Sequence, residues 1–476
     1  MNRDRNARMA RPTGLRGVAL GAVEPGDGMQ RHRFLLDQRD LPAAWYNLAA
    51  DLPPGPPLLN PLTRRPIAAE DLLPIFPRAL VEQEWSRDRW IDIPNEVRDN
   101  LALWRPTPLS RAVRLERALR TPARIYFKQE NQSPPGSHKA NTAVAQAHYA
   151  RQEGVRRLVT ETGAGQWGCS LALACALMGM ECQVFMVNLS YRQRPYRATM
   201  MRLWGARVVA SPSEETEAGR AARAADPDSP GSLGIAISES IETARDDPDA
   251  KYAMGSVLNH VVLHQSVIGL EAQRQLELAG ERPGVVIGCI GGGSNFAGLA
   301  FPFMPAKLRG EPIRFVAAEP KACPTLTRGR YCYDHGDTAG MTPLVKMHTL
   351  GHELVPPRIH AGGLRYHGVA PLVSQALELG LIEPIALGQL EAFESARLLA
   401  ATEGIIPAIE SSYAVAAAVR EAHRCREKGE AECIVACLSG HGLCELPSYE
   451  AFLAGQVEDL ELDDRPLHDA LARLAG

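Results

Sequence analysis

The chain has 476 residues, 45% of them hydrophobic and 22% charged, with a net charge of -3. That length predicts two or three lobes around a shared cleft, and the near-balanced charge gives no footing for nucleic acid or an acidic membrane. The longest apolar run, around Ser170–Met180, is too short to span a bilayer, and the ten cysteines read as buried thiols of a reducing compartment rather than a disulfide framework.

Residues 1–32 read as a disordered tail. Arg3, Arg5, Arg8, Arg11 and Arg16 accompany no apolar stretch of the kind a secretory signal needs, and the first serine, Ser86, comes too late for a transit peptide. The alternative is a start upstream of the true one at Met29. A segment 33–100 follows, with an extended linker at 52–57 (Leu-Pro-Pro-Gly-Pro-Pro). Regular alternation is expected from about residue 100, with a strand at Arg124–Phe127. A helix from Ser137 has Ala140, Ala143, Val144 and Ala147 on one face. Then come strand Arg157–Thr160, helix Gly165–Leu177, strand Gln183–Val187, helix Pro195–Trp204 and strand Arg207–Ala210. A second series runs helix Leu258–Leu278, strand Val285–Ile290, helix Asn295–Ala300 and strand Ile313–Ala318. Helices Glu391–Thr402 and Ser412–Ala422 and strand Glu432–Leu438 close it. This order predicts an α/β fold of two lobes, 101–255 and 256–456, with parallel sheets, crossover helices and a central cleft; 457–476 is a C-terminal tail. Ligands of such folds sit at the C-terminal ends of strands.

Three loops lie at such ends. Gly163-Ala164-Gly165-Gln166-Trp167-Gly168 matches G-x-G-x-x-G, yet the next strand ends Met186-Val187-Asn188 without the acid that a dinucleotide ribose requires. Thr160-Glu161-Thr162 also precedes the first glycine. A carboxyl followed by a glycine turn suits backbone N–H groups gripping a small anion, such as a substrate carboxylate. Gly291-Gly292-Gly293-Ser294-Asn295 lacks the Lys-Ser/Thr of a Walker loop and suits one phosphate; a plain tight turn is the alternative. Leu438-Ser439-Gly440-His441-Gly442, read alone, is a turn or a cap. Cys433, Cys437, His441 and Cys444 lack a close Cys-x-x-Cys pair, so no metal site is expected. Lys139 stands at the start of a helix, where the dipole repels a cation. A desolvated amine that loses its proton and acts as a nucleophile resolves that oddity.

The lysine and the loops together resemble the fold-type-II pyridoxal-phosphate (PLP) enzymes, within them the tryptophan synthase β chains, and most narrowly the second, stand-alone type. The resemblance rests on Gly136-Ser137-His138-Lys139, Glu161 to Gly168, Gly291 to Asn295, Ala361-Gly362-Gly363-Leu364-Arg365-Tyr366-His367-Gly368, Glu403-Gly404-Ile405-Ile406-Pro407 and Leu438 to Gly442, and runs from about Arg33 to the C-terminus. It implies PLP held covalently on Lys139, which also moves the Cα proton, with His138 beside the cofactor phosphate. Gly291, Gly292, Gly293, Ser294 and Asn295 would cradle that phosphate, Glu403 would lie near the pyridine ring and Ser439 would face its nitrogen. Thr162, Gly163, Ala164, Gly165 and Gln166 would receive the substrate carboxylate, Gln166 also bordering the cofactor, and Glu161 would be the acid and base.

The activity implied is a lyase of tryptophan biosynthesis that joins L-serine to indole, in a cytoplasmic homodimer with a monovalent cation as accessory. Trp167 stands where β chains that work with an α subunit have histidine, and Arg365 lies where they use a closure aspartate. Association with an α subunit is therefore not expected. O-phosphoserine is the alternative donor, with Arg365 near its phosphate. Cysteine-synthase-like and dehydratase-like enzymes are the rival relatives, and they lack a carboxyl in the place of Glu161.

Overall fold

Val285–Cys289 and Cys433–Leu438 are buried at every position, the pattern of parallel strands covered on both faces. They form the centre of the larger of two main sheets in the computed structural model, which describes residues 31–474. Across this seven-stranded sheet the order is Arg33–Phe34, Leu109–Arg111, Arg124–Gln129, Cys433–Leu438, Val285–Cys289, Arg314–Pro320 and Glu383–Leu387. The last five run parallel, and Leu109–Arg111 is antiparallel to both its neighbours. The smaller sheet has four parallel strands in the order Arg207–Ser211, Glu181–Val187, Arg157–Thr162, Ala250–Tyr252.

Two lobes and a mixed α/β fold are as expected, but the division of the chain at 101–255 needs correction. Arg124–Gln129 pairs residue for residue with Cys433–Leu438, because its apolar side chains fill the core of the larger sheet. It and Leu109–Arg111 therefore belong to the lobe built mostly from the second half of the chain. The helix Ala140–Gln152 lies beside Gln166–Met178, and ten of its thirteen residues are buried, so it has no solvent face of the kind its one-sided pattern suggested.

Residues before 100 are also part of the folded body. The Glu84 carboxylate accepts the Asn259 and His260 backbone N–H groups at 2.9 and 3.0 Å, supplying partners for the otherwise unpaired start of the helix Asn259–Gln265. The single helix expected over Leu258–Leu278 is two, Asn259–Gln265 and Val267–Ala279, meeting at Ser266, whose Oγ accepts the Tyr46 N–H. The linker is extended and bound along its length: the Pro53 and Pro57 carbonyls accept from Gln375 and Tyr333. The C-terminal segment is no free tail either, since the helix Asp464–Arg473 buries Leu467 and Ala470 against Leu350 and Leu354. Residues 1–30 of the expected disordered tail lie outside the described residues. Among the described residues no helix is long and apolar enough to cross a membrane.

A buried charge cluster fixes the approach to Lys139. Arg105 meets Glu130 at 2.7 Å and Glu271 at 2.9 Å, and Lys128 meets Glu271 at 2.6 Å, all with side chains at most 1% exposed. Burial alone would raise the Glu130 pKa, but Arg105 and Lys128 overcome it and hold that carboxyl down at about 2. Asn141 joins the cluster by accepting from Arg105 and donating to Glu130. Breaking one pair of such a cluster typically costs about 3–5 kcal/mol, so the first turn after Lys139 is held firmly.

Candidate active site

The C-terminal ends of Arg157–Thr162, Val285–Cys289 and Cys433–Leu438 converge on one cavity of about 110 Å³ between the lobes. Lys139 is the residue just before the helix Ala140–Gln152. That helix starts three residues later than its pattern suggested, because the backbone ahead of it is already paired: Ser137 bridges to Gly440, and the His138 N–H donates to the Ser439 carbonyl at 2.9 Å. The Lys139 ammonium donates to the Gly255 carbonyl at 2.8 Å. Burial pulls its pKa down to about 8, against the opposing pull of Glu161 and Glu410, so a neutral amine is accessible near neutral pH.

His138 ties the loops together. Its Nε2 is 3.1 Å from Ser294 Oγ, and its Nδ1 is 3.3 Å from the Ser439 carbonyl. Burial, reinforced by Lys139, depresses its pKa to about 3, so the ring is neutral. A carbonyl only accepts, which puts the proton on Nδ1 and makes Nε2 the acceptor of the Ser294 hydroxyl. Gly291 to Gly293 lead into the helix Ser294–Ala300. A Cβ on Gly292 would lie 2.4 Å from Ser256 Oγ, and one on Gly291 2.5 Å from the Gly363 carbonyl, so the loop is closed to larger residues. Asn295 donates to Cys437 Sγ behind it.

On the opposite wall, Glu161, the next-to-last residue of Arg157–Thr162, is almost wholly buried. Burial pushes its pKa up to about 7, against the Tyr252 hydroxyl, which donates to Oε2 at 2.5 Å. Thr162, Gly163, Ala164 and Gln166 line the cavity beside it, while Gly165 turns the chain behind them. The Gln166 side-chain amide spends both hydrogens on carboxylates, Glu410 Oε2 at 3.0 Å and Glu445 Oε1 at 2.9 Å. Burial and the neighbouring Glu410 raise the Glu445 pKa. Ser439 Oγ lies 2.8 Å from Ser411 Oγ and 3.6 Å from Cys289 Sγ.

One expected site residue is elsewhere. Glu403 ends the helix Gln389–Glu403 and accepts the Leu115 N–H at 2.8 Å, capping the helix Val113–Leu119 outside the cavity. The carboxylate that lines the cavity across from Glu161 is Glu410, in the first turn of Ile409–Lys428, which accepts the Gly363 N–H at 2.8 Å. A carboxylate in a helix's first turn is favoured by the dipole, and that was the signal available for it. Tyr252 and Gly255 carried no comparable mark. Trp167 donates to Thr160 Oγ1 at 2.6 Å and lies flat against Gly255, where a Cβ would come within 2.5 Å of the indole. Arg365 gives Nε and Nη2 to the Pro357 and Pro356 carbonyls and lines a neighbouring cavity.

The arrangement offers an amine and a carboxyl that both change protonation near neutral pH, facing a glycine loop fit for a phosphate and a turn fit for a carboxylate. The family model for pyridoxal-phosphate dependent enzymes matches residues 101–440. The chain is 58% identical over 415 residues to tryptophan synthase beta chain 2 of Thermotoga maritima, covering 87% of this chain and 98% of that one. It is 55% identical over 432 residues to tryptophan synthase beta chain 2 of Aquifex aeolicus, covering 90% and 100%. Among solved structures, an L-serine ammonia-lyase from Rhizomucor miehei aligns with a TM-score of 0.56 at 15% identity, over 74% of this chain and 98% of that one. The processed threonine deaminase isoform 2 of Solanum lycopersicum aligns with a TM-score of 0.53 at 20% identity, over 78% and 88%. At those identities the likeness concerns the fold alone.

Proposed function

Since the chain belongs to the pyridoxal-phosphate dependent enzymes, and within them to the second type of tryptophan synthase β chain, we propose that its cavity joins L-serine to indole, giving L-tryptophan and water. One observation carries the residue assignment: Lys139 and Glu161, with pKa values drawn to about 8 and about 7 by burial, line the same cavity.

The residues present fit PLP. The loop Gly291–Asn295, too tight for a Cβ at Gly292, and the neutral His138 would hold the phosphate. Lys139 would be the covalent anchor, Ser439 would meet the ring nitrogen, and Glu410 would stand in the place expected of Glu403. Bound there, PLP supplies an electron sink for negative charge at the amino-acid Cα, which allows the β-substituent to leave. The rest falls to the chain's own groups. The turn Thr162–Gln166 orients the substrate carboxylate through backbone N–H groups. The Lys139 amine, held by the Gly255 carbonyl, takes and returns the Cα proton. Glu161 gives its proton to the departing hydroxyl, and once ionised accepts the indole N–H as C3 bonds to Cβ. A carboxyl with a pKa near 7 suits both duties.

Product analysis tests this reading. With indole, serine is expected to turn over faster than O-phosphoserine, which would also give tryptophan, or threonine, which would give its β-methyl analogue; faster turnover of phosphoserine would move the assignment to that donor. Sulfide outcompeting indole as the second substrate would favour the cysteine-synthase-like alternative. Cytoplasmic action as a homodimer, an accessory monovalent cation and independence from an α subunit complete the proposal, the last resting on Trp167 and Arg365.

Ser439→Ala is expected to weaken PLP binding by about 0.5–1.5 kcal/mol, the net worth of one hydrogen bond. Ser439→Asp should keep PLP but lower the ratio of tryptophan to pyruvate, because an acid at the ring nitrogen strengthens the electron sink and opens side reactions. Equilibrium dialysis and product ratios read both effects. Parental values in both variants would leave Ser439 a turn residue.

A further inference from the structure

Among the described residues the Glu161 carboxyl has two side-chain hydroxyls within 3.5 Å, and both meet Oε2: Tyr252 at 2.5 Å and Thr160 at 3.5 Å. The Thr160 hydroxyl is committed elsewhere. It donates to the Ala253 carbonyl at 2.5 Å and accepts the Trp167 indole N–H at 2.6 Å, so its single proton is spent. Tyr252 is therefore the side chain that donates to this carboxylate. It does not itself line the cavity.

Its position is fixed from two sides. Tyr252 ends the strand Ala250–Tyr252, paired with Val159 two residues before Glu161. From the N-terminal segment, the Ile75 carbonyl accepts the Tyr252 N–H at 2.9 Å and the Phe76 ring packs on its ring with centroids 5.6 Å apart. We infer that Tyr252 is the positioning residue of Glu161: its hydroxyl tethers Oε2 and stabilises the ionised carboxylate, leaving the other oxygen to work on the substrate. This deepens the proposed function and rests on Glu161 being its acid and base.

The charged and titratable groups around the pair give the expected sign. Lys139 faces Glu161 from the helix side and favours its ionisation. Tyr366 and Asp337 face Tyr252 from the other lobe and, with burial and Glu161, push the phenol pKa up, so Tyr252 stays protonated and remains a donor. Removing the donor leaves burial less opposed. The carboxyl then holds its proton to higher pH: it can still assist departure of the hydroxyl, but it is ionised too seldom to receive the indole N–H.

Infrared difference titration of the PLP-loaded protein tests this directly. The carboxylic C=O band that disappears in Glu161→Gln belongs to Glu161. In Tyr252→Phe, which keeps the ring and its packing, the midpoint of that band should move up by about one to two pH units, the worth of one hydrogen bond to a charged group. The rise of kcat with pH in the indole reaction should move with it. An unmoved midpoint in a folded Tyr252→Phe protein overturns the inference, whatever happens to turnover. The reading beneath it fails separately: near-normal tryptophan formation by Glu161→Gln would remove Glu161 from the chemistry, while the infrared midpoint would still report the Tyr252 tether.

Discussion

A Lys139→Ala variant is expected to form no tryptophan and to lose the visible absorbance band of lysine-bound PLP, while keeping its fold. Alanine suits the position before Ala140–Gln152, and the Arg105–Glu130–Asn141 cluster that fixes the next turn does not involve the Lys139 side chain. The phosphate loop and His138 are untouched, so weak non-covalent PLP binding should persist. Lost are the nucleophile that anchors the cofactor and the base that moves the Cα proton, two roles that no neighbour can assume. Lys128 is also buried, but its ammonium is held by Glu271, Gln275 and the Thr107 carbonyl, away from the cavity. Borohydride reduction followed by peptide mapping locates the attachment, and PLP fixed on any other lysine would refute the assignment.

Glu161→Gln should slow both departure of the hydroxyl and capture of indole by roughly 10²–10⁴-fold, the usual contribution of a positioned acid or base. Glutamine preserves size and can still accept the Tyr252 hydroxyl, so packing should be almost undisturbed. It cannot give up or gain a proton. PLP loading should be normal, which separates this variant from Lys139→Ala in a single absorbance spectrum. Rapid-mixing absorbance with serine alone, then with indole added, reads the two steps separately, and parental rates in both would sink the role.

Much of this site was legible in the sequence because its chemistry sits in short, ordered loops at strand ends. Lys139, Glu161, Gly291 to Asn295 and Ser439 do meet at one cavity. What escaped depends on direction in space. Glu403 and Glu410 flank the same break between helices; one points back to cap Leu115 and the other forward to Gly363, and spacing alone does not say which. Tyr252 is an ordinary strand tyrosine until the neighbouring strand sets Glu161 beside it. The split at 101–255 failed because strand neighbours need not be neighbours in the chain, and nothing local in Arg124–Gln129 names Cys433–Leu438 as its partner.

That pairing bears on how the molecule is made. The last strand of the chain, Cys433–Leu438, lies between Arg124–Gln129 and Val285–Cys289 at the middle of the seven-stranded sheet. Until it inserts, that sheet exists only as two separate halves, each presenting an unpaired edge of the kind that invites aggregation. The four-stranded sheet, by contrast, has all its strands by residue 252, so its ladder can pair while the rest is still on the ribosome, although Val257 and Tyr366 fill its core only later. Synthesis therefore makes the strands of the sheet bearing Glu161 available early, whereas the cavity is assembled only when a late, long-range strand joins the two halves, the slow class of folding step. A chain that stops before residue 433 would have no continuous floor beneath Lys139.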